Sequence, residues 1–550
     1  MPERKTVGDL VAAFLEACGV ATAFGVISIH NMPILDAFAR RNRIRFVPAR
    51  GEAGALNMAD AYARVSGGLG VGITSTGVGA GNAAGSMVEA LTAGTPILHL
   101  TGQVELAFID RARSYIHEAP KQPDMLKAVS KAYFRIWSPG EALGVLREAV
   151  RLALTPPMGP VSVEIPIDVQ GAAVDWPERI AAPPAPAPLP SAAAIEALAE
   201  RLAEAKRPLL WLGGGARGAS MGARALADLG IGIVTSVNGR GVVPENHPMS
   251  LGAFNASPPV ESFYGSCDLL VVAGSRLRGN ETLKNQLKLP EHRIHIDVDP
   301  AMEGRAYSCR MFIRGDAAAV LSGVAEKLEG GRLKLDPAFA ADLAAAKRAA
   351  IRGLRDALGV NYSALADAVR ARYPKGAPWV RDITLSNSTW GNRYLELDDP
   401  RQGVHSLGGA IGQGVPMAIG AALARPEPKT VTLVGDGGFM LAVGELATAV
   451  QERANLVYIL MNDGGYGVIR NIQDAHYGGR RAYADLVNPD FAKLAQSLGL
   501  WHRRADSVEG FAREFDAALS VPGPAIVEVD MTALGPFAKP FAGPPVRATT

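Results

Sequence analysis

At 550 residues the chain is too long for one hydrophobic core, and three domains of ordinary size is the natural expectation. A net charge of +2 with no basic stretch gives no sign of a nucleic-acid partner. Three widely spaced cysteines, Cys18, Cys267 and Cys309, make neither a disulfide framework nor a zinc pattern, and no apolar run approaches the roughly 20 residues of a bilayer span; the expectation is a soluble cytoplasmic protein with no membrane partner.

In chain order, MPERKTVGDLVAAFLEACGV lacks an unbroken apolar signal core and reads as a short lead into an amphipathic helix. His30 in GVISIHNMP lies in a loop. The strand-like IRFVPA (44–49) runs into ARGEAGALNMADAYARVSG, which puts Glu52 in the first turn of a helix, where a carboxylate complements the dipole. TSTGVGAGNAAGSMVEAL (74–91) is a glycine-rich loop followed by a small-residue helix. Gln103 in LTGQ either ends a strand or faces a pocket. His117 in SYIHEAP lies in a second loop. Each loop histidine is either solvated or able to donate to a substrate carboxylate and move a proton near neutral pH.

The Pro/Ala stretch WPERIAAPPAPAPLPSAAAIEAL (176–198) is a linker, so a first domain covers 1–175. A central domain covers 190–330. Its PLLWLGGGARG places Gly213, Gly215 and Gly218 after a strand, a GxGxxG match. A dinucleotide fingerprint also wants an acid about 20 positions on, ending the next strand. GIVTSV is followed by NGRG and supplies none, so the fingerprint is incomplete. Residues 325–360 are charged, Ala-rich and helical in pattern, and lead to a third domain, 360–550.

In that third part TVTLV (430–434) is a buried strand, the glycines from 435 to 438 break it, Val443–Arg453 has helical spacing, and LVYILM (456–461) is a strand again. Strand, helix, strand gives a βαβ unit with parallel strands and right-handed crossover. GDGG and NDGG then fall at the carboxyl ends of neighbouring strands, where open α/β sheets bind ligands. One Asp-Gly pair marks a turn. Two at this spacing suit Mg²⁺ holding a diphosphate, with Asp436 and Asp463 as hard oxygen donors and glycine backbone close to the phosphates.

This pattern resembles the thiamine-diphosphate motif, GDG followed a helix and a strand later by Asn-Asn or Asn-Asp. With RGEAGALNMADAYARVSG, TSTGVGAGNAAGSMVEAL, GPVSVEIPIDVQ (159–170), VNGRGVVPENHPMSLG (237–252) and GGAIGQGVPMAIGAALA (408–424), nearly the whole chain resembles the acetohydroxyacid synthase and benzoylformate decarboxylase branch of those enzymes. The resemblance implies an α/β protein of three doubly wound parallel-sheet domains, the first binding the pyrimidine and the third the diphosphate. It implies that Glu52 hydrogen-bonds N1′ of the aminopyrimidine, that the Gly409 carbonyl accepts the 4′-amino proton, and that Ile411 is the apolar wedge beneath the cofactor. Ser386, Asn387, Gly437 and Gly438, with Tyr466 beside them, would meet the diphosphate. Asp436, Asp463 and the Gly465 carbonyl would hold Mg²⁺, Asp463 standing where Asn is commoner.

The implied activity is C–C lyase or carboligase chemistry on a 2-oxo acid or a related substrate such as an acyloin, acetolactate synthase-like, with Glu52, His30, His117 and Gln103 at the reacting end. The alternatives are a decarboxylase releasing an aldehyde and a flavin oxidoreductase like pyruvate oxidase. His117 stands where biosynthetic acetohydroxyacid synthases commonly carry Gln, and Ile472 where they carry Trp. FAD or ADP in the central domain, through the Arg276–Arg278 loop, is left open. The resemblance also implies a homodimer or homotetramer with each site between two chains.

Overall fold

The computed structural model describes residues 5–331, 333–541 and 543. Its strands form three sheets. The first contains β1 (Thr22–Gly25), β2 (Arg45–Pro48), β3 (Gly70–Thr74), β4 (Ile97–Gln103), β5 (Ala132–Arg135) and β6 (Val161–Pro166), in the order β2-β1-β3-β4-β6-β5. The second contains β7 (Pro208–Leu212), β8 (Gly232–Thr235), β9 (Leu269–Ala273), β10 (Arg293–Asp297) and β11 (Met311–Arg314), in the order β11-β10-β9-β7-β8. The third contains β12 (Trp379–Arg381), β13 (Gly403–His405), β14 (Thr430–Gly435), β15 (Leu456–Asn462), β16 (Trp501–Ala505) and β17 (Ala525–Asp530), in the order β13-β12-β14-β15-β17-β16. Neighbouring strands pair parallel in all three. The fold is therefore α/β with three doubly wound sheets, as expected. The first and third sheets also share one strand order, 2-1-3-4-6-5 counted within each.

Parallel sheets carry helices on both faces, so their strands read as continuous apolar runs. β3, β4, β7 and β9 are buried along their whole length, as are all but the last residues of β14 and β15. The β14–β15 pairing runs from Thr430↔Leu456 to Gly435↔Met461. It brings the two Asp-Gly segments to one sheet edge.

Two details differ from the sequence reading. Gly435 stays in β14, and Asp436–Leu441 is already helical, so GDGG opens a helix and is not an open loop. The helix expected over Val443–Arg453 begins later, as Glu445–Gln451, because Ala442 (φ −123°, ψ 23°) breaks the path between the two short helices. The helical bridge after the central sheet consists of Ala317–Leu328 and Phe339–Arg372, the latter interrupted at Gly359 with φ 78°.

One apolar core is shared by the first and third sheets, joining Phe24, Val47, Leu56 and Met58 to Val380, Val415, Met417 and Ile419. Its centre is the packing of helix Glu52–Ser66 on helix Gly414–Ala424. The backbones approach so closely that a Cβ on Gly420 would stand 2.7 Å from the Met58 carbonyl carbon. The central sheet has its own core, built around Leu209–Leu212 and Leu269–Ala273.

Candidate active site

At the carboxyl ends of β12, β14 and β15 lies a cleft of about 360 Å³. Its walls include Ser386, Gly409, Ile411, Asp436, Gly437, Gly438, Asp463, Gly465 and Tyr466, nine positions singled out in the sequence. Ser386 is fully buried and its hydroxyl has no partner. Asn387, in a π-helical turn over Asn387–Gly391, is not on the cleft wall; it lies buried behind it with both amide atoms unpartnered. Buried polar atoms almost always find partners, and the Ser386 hydroxyl, on the cleft wall, is free to bond a group bound there.

Glycine shapes the floor. A Cβ on Gly437 would fall 2.6 Å from the Tyr466 ring, and one on Gly438 2.8 Å from Asp382 Oδ2. Gly409 and Gly412 hold φ values of 85° and 84°, which side chains rarely adopt. Asp382, unmarked in the sequence reading, holds this turn. Its Oδ2 accepts from Gly412 N at 2.9 Å and Gly414 N at 3.3 Å, and burial pushes its carboxyl up to about 6. An acid directly after a short strand is the one signal that could have found it.

Asp436 is buried, and its Oδ2 accepts from Asn488 Nδ2 at 2.6 Å. Asp463 N reaches Asp436 Oδ1 at 3.4 Å. Arg470 pairs with Asp463 at 3.0 Å and with Asp485 at 3.0 Å. Burial first, and Asp436 second, push Asp463 up to about 6 against the opposing pull of Arg470. Among the described residues no cluster of three or more His, Cys, Asp or Glu is arranged to hold a metal. The donor chemistry still fits Mg²⁺ bound with a diphosphate, since that ion takes one or two carboxylates and completes its shell from phosphate, carbonyl and water. The orphaned Ser386 hydroxyl and the glycine floor fit the diphosphate itself.

Glu52 is not on this cleft. It opens its helix beside β2, as the sequence suggested, and accepts from Asn82 Nδ2 at 3.2 Å. A Cβ on Gly79 would stand 2.9 Å from Glu52 Oε1, and one on Gly77 3.3 Å from the His117 carbonyl carbon, so the β3 loop joins Glu52 to the histidine loops. The His30 and His117 rings meet edge to face at 5.1 Å between centroids. His30 is buried with Nδ1 unpartnered, and burial followed by His117 holds it below its ordinary value. Gln103, the last residue of β4, is held by its neighbours. Its Oε1 accepts from Thr76 at 3.0 Å and from Val104 N at 2.9 Å, and its Nε2 donates to Glu164 at 2.9 Å.

A second cavity, of about 410 Å³, lies where the three domains meet. Gly214, Gly215, Gly218, Arg276, Arg278, Asp297 and Asp299 line it, with Arg64 and Leu407 from the first and third domains. Asp297 ends β10, two strands later in the chain than β8, where the fingerprint wanted an acid.

These features define a class: paired α/β domains with one sheet order, one presenting a carboxylate on a helix, the other a glycine-floored acidic cleft. The chain matches three family models, the thiamine pyrophosphate enzyme N-terminal TPP binding domain over residues 5–127, the central domain over 195–324 and the C-terminal TPP binding domain over 385–529. It is 32% identical over 531 residues, 95% of this chain and 94% of that protein, to a Pseudomonas aeruginosa protein named "Probable 2-ketoarginine decarboxylase AruI". It is 30% identical over 540 residues to the acetolactate synthase large subunit of Corynebacterium glutamicum (90% of this chain, 82% of the relative). It is 29% identical over 555 residues to acetolactate synthase 2, chloroplastic, of Nicotiana tabacum (96% and 82%). The chain belongs to the thiamine pyrophosphate enzyme family.

Proposed function

We propose that the protein is a thiamine-diphosphate- and Mg²⁺-dependent enzyme that cleaves the C1–C2 bond of a 2-oxo acid. The observation that carries this is the third-domain cleft, where the partnerless Ser386 hydroxyl, the Gly437–Gly438 floor and the Asp436–Asp463 pair converge. When bound, thiamine diphosphate supplies a nucleophilic carbon and an electron sink. The chain's own groups do the rest. Asp436, Asp463 and the Gly465 carbonyl hold the metal, Ser386 and Gly437 orient the diphosphate, and Ile411 supports the ring. Glu52 exchanges a proton at N1′ of the pyrimidine, and the Gly409 carbonyl accepts from the 4′-amino group.

As the C1–C2 bond breaks, CO₂ leaves and the former carbonyl carbon needs either a proton or a second carbonyl compound. The touching His30 and His117 favour delivery of a proton and release of an aldehyde, with carboligation as the competing outcome. Glu105 and Glu118, flanking Tyr115 in the His117 loop, each keep one buried carboxylate oxygen without a partner. They favour a substrate with a cationic end, the class the name of the Pseudomonas relative suggests. Product analysis with a panel of 2-oxo acids, basic ones included, is the test. Aldehyde formation that needs both thiamine diphosphate and Mg²⁺ supports the proposal; substrate turnover in cofactor-free protein would end it.

The central cavity favours an adenine nucleotide, with glycine backbone and Arg276 and Arg278 for phosphates. An ADP-type ligand would leave the purified protein colourless. A yellow protein that bleaches with substrate would instead support the flavin oxidoreductase alternative.

A further inference from the structure

Glu52 lies in the first domain, yet the carboxylate that grips its helix comes from the third. Glu445 is 4% exposed. Its Oε1 accepts from Arg50 N at 3.1 Å and from Gly51 N at 3.0 Å, and its Oε2 accepts from Arg50 N at 3.2 Å and from Thr448 Oγ1 at 2.7 Å. Gly51 is the N-cap of helix Glu52–Ser66 and has no side chain to satisfy the orphan amides there. Glu445, 394 positions from Gly51, accepts from the N-cap amide itself and from the Arg50 amide before it. An anion at this end is favoured by the dipole as well. Arg50 Nη2 adds a bond to Gln451 Oε1 at 2.8 Å, and Arg45 pairs with Glu452, so the whole Glu445–Gln451 helix holds the turn that presents Glu52.

Gly54 is an independent sign of the same fit. It sits inside the first turn, and Gly is a poorer helix former than Ala. Its φ is not in the left-handed region, so conformation does not require it. Space does: a Cβ there would stand 2.6 Å from Glu445 Cδ and 2.9 Å from Cγ. The missing methyl group leaves room for the incoming carboxylate.

We propose that Glu445 is a positioning residue for the cofactor-activating acid: bound to the Arg50 and Gly51 amides through the gap left by Gly54, it fixes where Glu52 meets the aminopyrimidine. This rests on the reading of Glu52 as the group that exchanges a proton with N1′. A misplacement of Glu52 by about 1 Å would slow that exchange on the order of 10²-fold without removing any group that binds the diphosphate.

The experiment compares wild type with Glu445→Ala, Glu445→Gln, Gly54→Ala and Glu52→Gln. Amide hydrogen exchange by mass spectrometry is read on peptides covering 48–56 in the cofactor-free protein. C2–H/D exchange of bound thiamine diphosphate is read by NMR, and cofactor affinity by calorimetry. Glu445→Ala and Gly54→Ala are expected to speed amide exchange at 50–54 about tenfold or more, the scale of losing hydrogen bonds to a charged acceptor. Both should slow C2 exchange on the order of 10²-fold with affinity kept. Glu445→Gln should restore both, because an amide oxygen can still accept from Arg50 and Gly51. Gly54→Ala tests the contact without altering Glu445, and Glu445→Gln, which keeps an acceptor in place, guards against a variant that fails to fold. If amide exchange rises while C2 exchange stays at the wild-type rate, Glu445 only stabilises the fold and the proposal is wrong. If Glu52→Gln itself exchanges C2 at the wild-type rate, the reading of Glu52 falls and this inference with it. Loss in Glu52→Gln alone overturns only the inference.

Discussion

Asp436 and Asp463 illustrate how two carboxylates are forced together. Each alone would sit comfortably in water; here burial and their mutual repulsion raise Asp463 to about 6. A divalent cation relieves that repulsion. Asp436→Ala should therefore lose Mg²⁺-dependent retention of thiamine diphosphate, and calorimetry showing unchanged affinity would refute the metal assignment. His99 gives a pH prediction away from the site. It is fully buried between Thr74 Oγ1 at 2.9 Å and Ser162 Oγ at 3.1 Å, and burial holds it at about 4. The unfolded chain, near 6.5, takes the proton first, so this contribution is complete above about 6.5 and is lost as the pH falls toward about 4. It amounts to at most about 3.5 kcal/mol, from roughly 1.4 kcal/mol per pKa unit over the 2.5 units between 6.5 and about 4. Urea unfolding at pH 7 and pH 5 should show a steeper loss in wild type than in His99→Gln; equal losses would count against it. At this scale Glu52, Asp436 and Asp463 could be read because their neighbours form local motifs. Asn488 and Glu445 could not, since their partners are 52 and 394 positions distant and nothing in VNPD or VGEL announces them.

The helix pair Glu52–Ser66 and Gly414–Ala424 depends on small residues facing each other. Gly420→Ala should destabilise the protein by about 1–3 kcal/mol or more, because the obstacle is the Met58 backbone, which cannot rotate away as a side chain can. A urea midpoint indistinguishable from wild type would show that the interface yields. The strands were legible because parallel sheets bury both faces and write unbroken apolar runs into the chain. Helix boundaries were less so. The start at Asp436 was hidden because glycines at 437 and 438 read as breakers, while the tertiary setting overrides their weak propensity. Gly359, by contrast, interrupts Phe339–Arg372 close to where composition alone placed the start of the third domain.

Within one chain the diphosphate cleft does not include Glu52, although both are needed by the proposed chemistry. Ile27, Ile29, Val78 and Ile116 are exposed around the first-domain loops, and Leu441 is exposed on the helix that carries Asp436. A site shared between two copies would complete the cleft and cover these side chains. Mixing Glu52→Gln with Asp436→Ala chains under subunit exchange should return up to about a quarter of wild-type activity, because half the dimers are mixed and half their sites intact. Mixed dimers seen by mass spectrometry without recovered activity would contradict the shared site, as would a fully active monomer. The common strand order of the first and third sheets was not visible in the sequence. Register and order come from pairings across the chain that no local pattern records.

The core common to the first and third sheets sets a rule for exchanging parts between relatives. A chimera that imports residues 1–175 from another family member and leaves Gly414–Ala424 in place would set a foreign helix against a surface fitted to Met58, and a foreign turn against Glu445. The third-domain helices Gly414–Ala424 and Glu445–Gln451 should travel with the graft, while the core of the central sheet is separate from that fit.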